Sequence, residues 1–566
     1  MRTPNKKEIN LALNSFTKTE RLVFFGLVVV FLISSLTILN NINSKYLVEV
    51  PALGGDLTEG VIGEAPRFIN PLLATSDADR DLTQLIYSGL LRVGPDGGYV
   101  GDLAESYTIS PDGLTYTFKI RHNAVWQDGK PVTSDDIEFT IKEARDPSIK
   151  SYKRPSFEGV TIEKIDDKTI ALKLKQPYSP FLENTTMGII PKHIWSGVTA
   201  ESFPYSKYNM SPIGSGPYQI KNISNTSSGP EYYDLTPFKY FTLGEAKIEN
   251  LRIKFFSNEE ALLTAYRSGS IDAINTIPPQ TAKQLEGQNI TINHSTLPRI
   301  FAVFFNQNHS KVLTDKAVRK ALDAAVNKEA IVNDVLLGYG GVIDGPLPIL
   351  RGGSTSTDPN HIDNAKQILK KGGWKFNTKT NMWEKGAKKQ TLTLTLDLAT
   401  ANTPELKDAA TLIKRDWEEL GIRVNMKIFE IGDLNQNVIR TRKYDALFFG
   451  EVIGRNPDLF SFWHSSQRND PGLNISMYTN SKADKLLENA RVEQDLDKKL
   501  KKYSDLQTEI KNDVPAIFIY SPQFLYAVPQ TIKNLTVGNI TIPSDRFISI
   551  HKWYIDTDKI WKFFAN

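Results

Sequence analysis

The chain has 566 residues, with 68 Lys and Arg against 64 Asp and Glu, and its composition is 40% hydrophobic and 23% charged. That is globular chemistry spread over several units of about 100–200 residues, and it excludes a mainly disordered chain. A net charge of +4 is too dilute for a phosphate-backbone binder, and the absence of cysteine removes disulfides, thiolate metal sites and cysteine nucleophiles.

The first element is Leu22–Leu39, eighteen uncharged residues preceded by Arg2, Lys6, Lys7, Lys18 and Arg21. As a helix it spans roughly 27 Å, close to the hydrocarbon thickness of a bilayer. The positive flank places the first residues in the cytoplasm and the rest outside. The run is longer than a signal peptide's core and no small-x-small site follows, so a retained signal-anchor over 22–42 is expected. Asn40–Gly55, polar and carrying Pro51, Gly54 and Gly55, reads as a tether.

Further on, Tyr116, Phe118 and Ile120 alternate as one face of a strand after the Pro111-Asp112-Gly113 turn. Thr133 is placed to cap a helix carrying Ile137, Ile141 and Ala144 on one face. Ser257 and Glu260 have capping-box spacing before a helix, Thr314 opens another through Val318, Leu322 and Ala325, and Asn327 caps a third that stops at Gly338. Thr403-Pro404 begins a helix closed by Gly421, and Ile422, Val424, Met426 and Ile428 then alternate as a strand. Interleaved strands and helices argue for α/β lobes, with 89–204 set apart by its short strands and turns.

The searches for chemistry fail. The seven histidines are scattered, so no local zinc motif exists. Gly214-Ser215-Gly216 is neither a nucleophile elbow nor a dinucleotide loop, and Gly129-Lys130 lacks the upstream glycine of a phosphate loop. Asp135/Asp136 and Glu259/Glu260 read as first-turn acids facing helix dipoles, and Lys498, Lys499, Lys501 and Lys502 as a solvated face. No catalytic residue, metal or cofactor is predicted.

In order along the chain, LAESYTISPDGLTYTFKIRHNAVWQDGKPVTSDDIEFTIKEA (Leu103–Ala144), SPIGSGPYQI (Ser211–Ile220), LLTAYRSGSIDAI, Phe305–Gly340, Ala365–Trp374 and YDALFFG (Tyr444–Gly450) resemble the family 5 extracellular solute-binding proteins of ABC importers, the oligopeptide- and dipeptide-binding group. The resemblance covers roughly residues 57–560. It implies an α/β, two-lobed periplasmic-binding-protein type II-like fold with an extra inserted domain, preceded here by one transmembrane helix. Mapped onto this chain, 1–21 are cytoplasmic, 43–56 a tether, 57–88 with 205–300 and 526–566 the first lobe, 89–204 the insert, and 301–525 the second lobe. The lobes would be joined near Leu297–Phe305 and Ser521–Pro529.

Peptide binders of this family read G-W-x-x-D-x-x-x-P-x-x-F in the second lobe, their Asp pairing with the peptide's amino terminus. Here Glu451 stands for the Trp, Gly454 or Arg455 falls nearest the missing Asp, and Asn456, Pro457 and Asp458 follow. Glu451 and Arg455 are therefore candidate determinants of ligand choice, with Asn456, Glu64, Tyr87 and Tyr520 as cleft neighbours. The alternative is that Glu451 and Arg455 pair with each other or with solvent. The function implied is a membrane-anchored, monomeric, extracytoplasmic binding protein that passes a peptide or small polar solute to ABC permease subunits, with no role for nucleic acid. A ligand sensor or surface adhesin on the same fold is the alternative, and an extracytoplasmic hydrolase a more distant one.

Overall fold

The computed structural model describes Lys7 and residues 15–226, 229–287, 290–348, 358–386, 391–455, 457–538 and 540–564. Its first long element is the helix Lys18–Tyr46, opened by a Thr17/Glu20 capping box. The helix outlasts the apolar run because Asn40–Tyr46 contains no proline or glycine to stop it. Leu47–Pro51 then forms a strand antiparallel to Thr557–Trp561. Ala52 N donates to Asp556 O at 3.0 Å and Gly54 N to Lys247 O at 2.9 Å. The expected tether is thus fastened to the body, because its Val48 and Val50 alternate with Glu49 and Pro51 well enough to pair with a partner distant in sequence.

Two sheets carry the body. The near sheet runs in the order Tyr218–Thr226, Gly229–Pro237, Asn250–Phe256, Asp56–Ile62, Ala273–Ile274 and Ala516–Pro529. The distal sheet runs Arg423–Phe429, Thr395–Ala401, Ala446–Val452, Arg299–Phe305 and again Ala516–Pro529. That last strand belongs to both. Its first half pairs with Arg299–Phe305, and from Gln523 it pairs with Ile290–Thr296 in the near lobe. Near-lobe pairing therefore begins at Gln523, ahead of residue 526. Between the halves, Leu297 N donates to Pro522 O at 3.1 Å and Ser521 Oγ to Leu297 O at 2.9 Å. Two adjacent crossings form the connection, or hinge, about which lobes of this kind close, with Gly340–Val342 paired along the edge of the second.

Within 89–204 a four-stranded sheet runs Ala104–Ile109, Thr115–Ile120, Thr169–Lys173 and Thr161–Asp166. Tyr116, Phe118 and Ile120 are fully buried in it, as their alternation predicts. These residues share one core with Leu57, Leu82, Tyr218 and Leu251 of the near lobe. A separate core, built on Phe304, Leu322, Ile413 and Trp417, serves the distal lobe. Insert and near lobe therefore form one packed body and the distal lobe another.

Two helix starts lie one residue from their expected place. Asn258 caps Glu259–Arg267 through a 2.9 Å bond to Ala261 N, and Asp315 caps Lys316–Ala325 through Ala317 N at 2.9 Å. In both cases a second capping residue beside the expected one takes the turn. Thr133, Asn327 and Gly421 act where expected, Gly421 at φ +94°.

Candidate functional site

The helix Asp77–Ile86 begins with a Ser76/Asp79 capping box. Asp79 also accepts from Arg67 N at 2.8 Å and Phe68 N at 2.9 Å, which fixes the entry to the helix. Its exit is held by the loop around Gly214 and Gly216. Gly216 N donates to Ile86 O at 2.8 Å, and a Cβ on Gly214 would lie 1.9 Å from that same oxygen. The glycines of this loop thus serve backbone contact, and their product is the placement of the next residue, Tyr87.

Tyr87 lines a cavity of about 130 Å³ between the lobes. Its ring is buried, its hydroxyl has no hydrogen-bond partner, and burial pushes its pKa up. Four cations, Arg80, Arg92, Lys153 and Arg455, face the same cavity against two carboxylates, Asp102 and Asp545. Burial pulls the pKa of Lys153 and Arg92 down and pushes Asp102 up to about 6. Arg92 Nη1 donates to Ile548 O at 3.2 Å and lies 3.4 Å from His551 Nδ1. His551 is pulled down to about 3 by burial and by Arg92, so its neutral ring can accept that contact.

Arg455 is the distal lobe's contribution to this cavity. Its guanidinium reaches Asp545 Oδ2 at 2.6 Å, a pair only 10% and 11% exposed. Asp545 in turn accepts from Thr541 N at 2.7 Å and Ile542 N at 3.2 Å. The next residue, Arg546, is fully buried and bonded to Glu59 and Asp81, while Tyr526 donates to Glu59 at 2.7 Å. The anionic end of the interlobe pair is therefore mounted on a rigid base.

A larger cavity, about 830 Å³, opens between the insert and the distal lobe, with Glu158, Lys175, Tyr178, Glu183, Asp458 and Arg491 among its walls. Asp458 pairs with Arg491 at 2.9 Å and receives the Tyr178 hydroxyl at 3.5 Å. Beside it, Lys499 Nζ donates to Ser179 Oγ at 2.8 Å. Lys499 is 4% exposed and burial pulls it down to about 8. It is therefore not part of a solvated face: its position on the helix Leu496–Asp513 points it at the insert. A third, mostly apolar cavity at the hinge is lined by Leu297, Pro298, Ile453, Gly454 and Arg455.

Val452–Arg455 thus walls all three cavities. The other expected residues are placed differently. Glu451 is 6% exposed on the strand Ala446–Val452, its Oε2 has no partner, and burial pushes it well above the carboxylate range. It does not pair with Arg455. Tyr520 is buried on the crossing strand, its ring 4.9 Å from Phe301 and its hydroxyl unpartnered. Glu64 is exposed in the bend after Asp56–Ile62 and lines none of these cavities. Asn456 lies outside the described residues. Sequence reading missed Arg80, Arg92, Lys153 and Asp545, which come from four separate segments. Only Asp545, following Pro543-Ser544 as a helix-start acid, carries a local signal.

The model of the bacterial extracellular solute-binding proteins, family 5, matches residues 98–474, two-thirds of the chain. The chain belongs to that family. As a family 5 protein it is 28% identical to the oligopeptide-binding protein AppA of Bacillus subtilis, over 91% of this chain and 94% of the relative. The structure of AppA with a nonapeptide aligns with a TM-score of 0.67 over 90% of this chain and all of that one. The ABC transporter substrate binding protein CtaP of Listeria monocytogenes aligns at 0.74 with 27% identity, over 89% and 99%. NikZ of Campylobacter jejuni, in complex with Ni(L-His), aligns at 0.68 with 25% identity, over 88% and 99%. The two-lobed fold is thereby established for this chain, with the hinge and cavities described above as its interlobe cleft.

Proposed function

We propose that this protein captures a peptide or similar small polar solute between its lobes and delivers it to ABC permease subunits, while held at the outer membrane–water interface by the helix Lys18–Tyr46. The observation that carries the reading is the segment Val452–Arg455, which walls three interlobe cavities at once. A ligand touching it together with the near lobe stabilises the closed arrangement, because it makes both sets of contacts only there. The nonapeptide bound by AppA supports a peptide ligand here. The shared core of 57–88, 205–300 and 526–566 with the insert 89–204, and the separate core of 301–525, support these as the two closing bodies. We read the chain as a monomer without enzymatic activity.

Within the cleft, Arg455 exchanges Asp545 for an anionic group of the ligand, and the unpartnered Tyr87 hydroxyl gives that group a donor. Four cations against two carboxylates favour a carboxylate or phosphate over an amino terminus at this end. Tyr520 and Glu451 shape the strands behind the wall. Native mass spectrometry of the protein, gently extracted from its host membrane, tests this. Copurified masses that fragment as peptides or acidic solutes are expected. Turnover of added peptides, or a cleft that takes up no peptide or acidic solute from a mixture, would overturn it.

A further inference from the structure

We infer that residues 557–564 form a second membrane contact, an aromatic collar that sits in the lipid headgroup region beside the outer end of the anchor helix. The inference rests on the reading that this helix is retained and spans a bilayer.

The uncharged run of that helix is Leu22–Leu39, and the helix itself ends at Tyr46. Seven more residues at about 1.5 Å each carry the chain roughly 10.5 Å beyond Leu39, to the water side of a headgroup layer about 5–7 Å thick. From Leu47 to Pro51 the strand leads away from the helix. Its partner Thr557–Trp561 runs antiparallel, so it leads back, and the register sets Trp561 opposite Leu47. The following turn Lys562–Phe564 therefore continues toward the level at which the helix leaves the bilayer.

The side chains there suit that depth. The Trp561 ring stacks on Tyr46 with centroids 6.5 Å apart and planes 23° apart. Trp561 is 49% exposed, Phe563 86% and Phe564 71%. Four exposed rings in one place would be a poor surface in water. At a bilayer interface, Trp and Tyr are the residues that settle best, their rings partly apolar and partly wet. Lys45, Lys559 and Lys562 are exposed around them, positioned to meet lipid phosphates. The strand pair makes the collar and the anchor one unit, so the body is attached at two adjoining points and its tumbling relative to the membrane is restricted.

The protein carries its own reporter. Of eight tryptophans, Trp126, Trp195, Trp374, Trp383, Trp417, Trp463 and Trp553 are essentially fully buried, and Trp561 alone is exposed. The full chain is reconstituted into phosphatidylcholine–phosphatidylglycerol vesicles whose acyl chains carry bromine either close to the headgroup or near the bilayer centre. Bromine close to the headgroup is expected to quench the exposed-indole part of the emission, and central bromine to leave it intact. Trp561→Phe should abolish that quenching, and Phe563→Ser with Phe564→Ser should reduce it and red-shift the remaining Trp561 emission. If the chain floats with the vesicles and Trp561 stays unquenched, the collar is wrong and the anchor stands. If Trp561 is shielded only when chains crosslink to one another, the collar is instead a contact between copies and the inference fails. If protein from host membranes lacks residues before 46, the anchor reading fails and the collar falls with it.

Discussion

Two buried charged groups, one in each lobe, are handled in opposite ways. In the near lobe Arg546, Glu59 and Asp81 are all fully buried and tied together, with the Tyr526 hydroxyl completing the shell. In the distal lobe Glu451 is buried on a strand with an oxygen that nothing satisfies. The near-lobe cluster joins the strand Asp56–Ile62, the helix Asp77–Ile86, the crossing strand and the 3₁₀ segment Pro543–Lys552, so its charges do architectural work. The Glu451 side chain makes no ion pair among the described residues, and it adjoins the wall shared by three cavities. Paired buried charge holds a body together; an unpaired buried carboxyl survives by staying protonated, at a cost in stability.

The sharpest way to break this comparison is Arg546→Met. It leaves two carboxyls buried without their cation and should cost about 3–5 kcal/mol in urea unfolding. A loss below about 1 kcal/mol would mean that the cluster is not the keystone of the near lobe.

Glu451→Gln should act in the other direction. Burial raises the Glu451 pKa above its ordinary 4.5, so the folded protein holds a proton that the unfolded chain releases. Its contribution is fully present below about pH 4.5 and is lost as pH rises toward the folded pKa. The variant should therefore match the wild type at pH 4 and exceed it at pH 8, by about 1.4 kcal/mol for each unit by which burial raises the pKa within that window. Thermal unfolding across pH reads this directly, and equal pH dependence in the two proteins would show that Glu451 is ionised and partnered.

Arg455→Ala tests the cleft. Loss of the guanidinium should weaken an acidic ligand at least tenfold, about 1.4 kcal/mol, in calorimetric titration. Asp545→Asn should tighten the same ligand severalfold, since it removes the carboxylate that competes with the ligand for Arg455. The smallest effect is expected at Lys499. Its pKa is lowered to about 8 from 10.5, so the folded state gives up a proton first and stability rises with pH between about 8 and 10.5. Lys499→Met should flatten that rise and, through the lost bond to Ser179, shift closure by about 1 kcal/mol.

Much of this protein was legible along its sequence because the signals are local. The apolar run of the first helix, the alternation of Tyr116, Phe118 and Ile120, the cap at Thr133 and the left-handed Gly421 are each set by neighbours a few residues away, and each took its expected form. The family resemblance carried the two lobes and marked the segment around Arg455. The tertiary structure alone decided what that segment meets. Asp545 reaches Arg455 from 90 residues away, Lys499 turns from a charged run to face Ser179 across 320, and Glu59 finds Arg546 across 487. The strand Leu47–Pro51 became a fixture because its partner lies some 500 residues on. Propensity and periodicity reach one helix turn or one strand. Which distant charge shares a buried site is settled only when packing excludes water, so that each ionic group must find a partner or give up its charge.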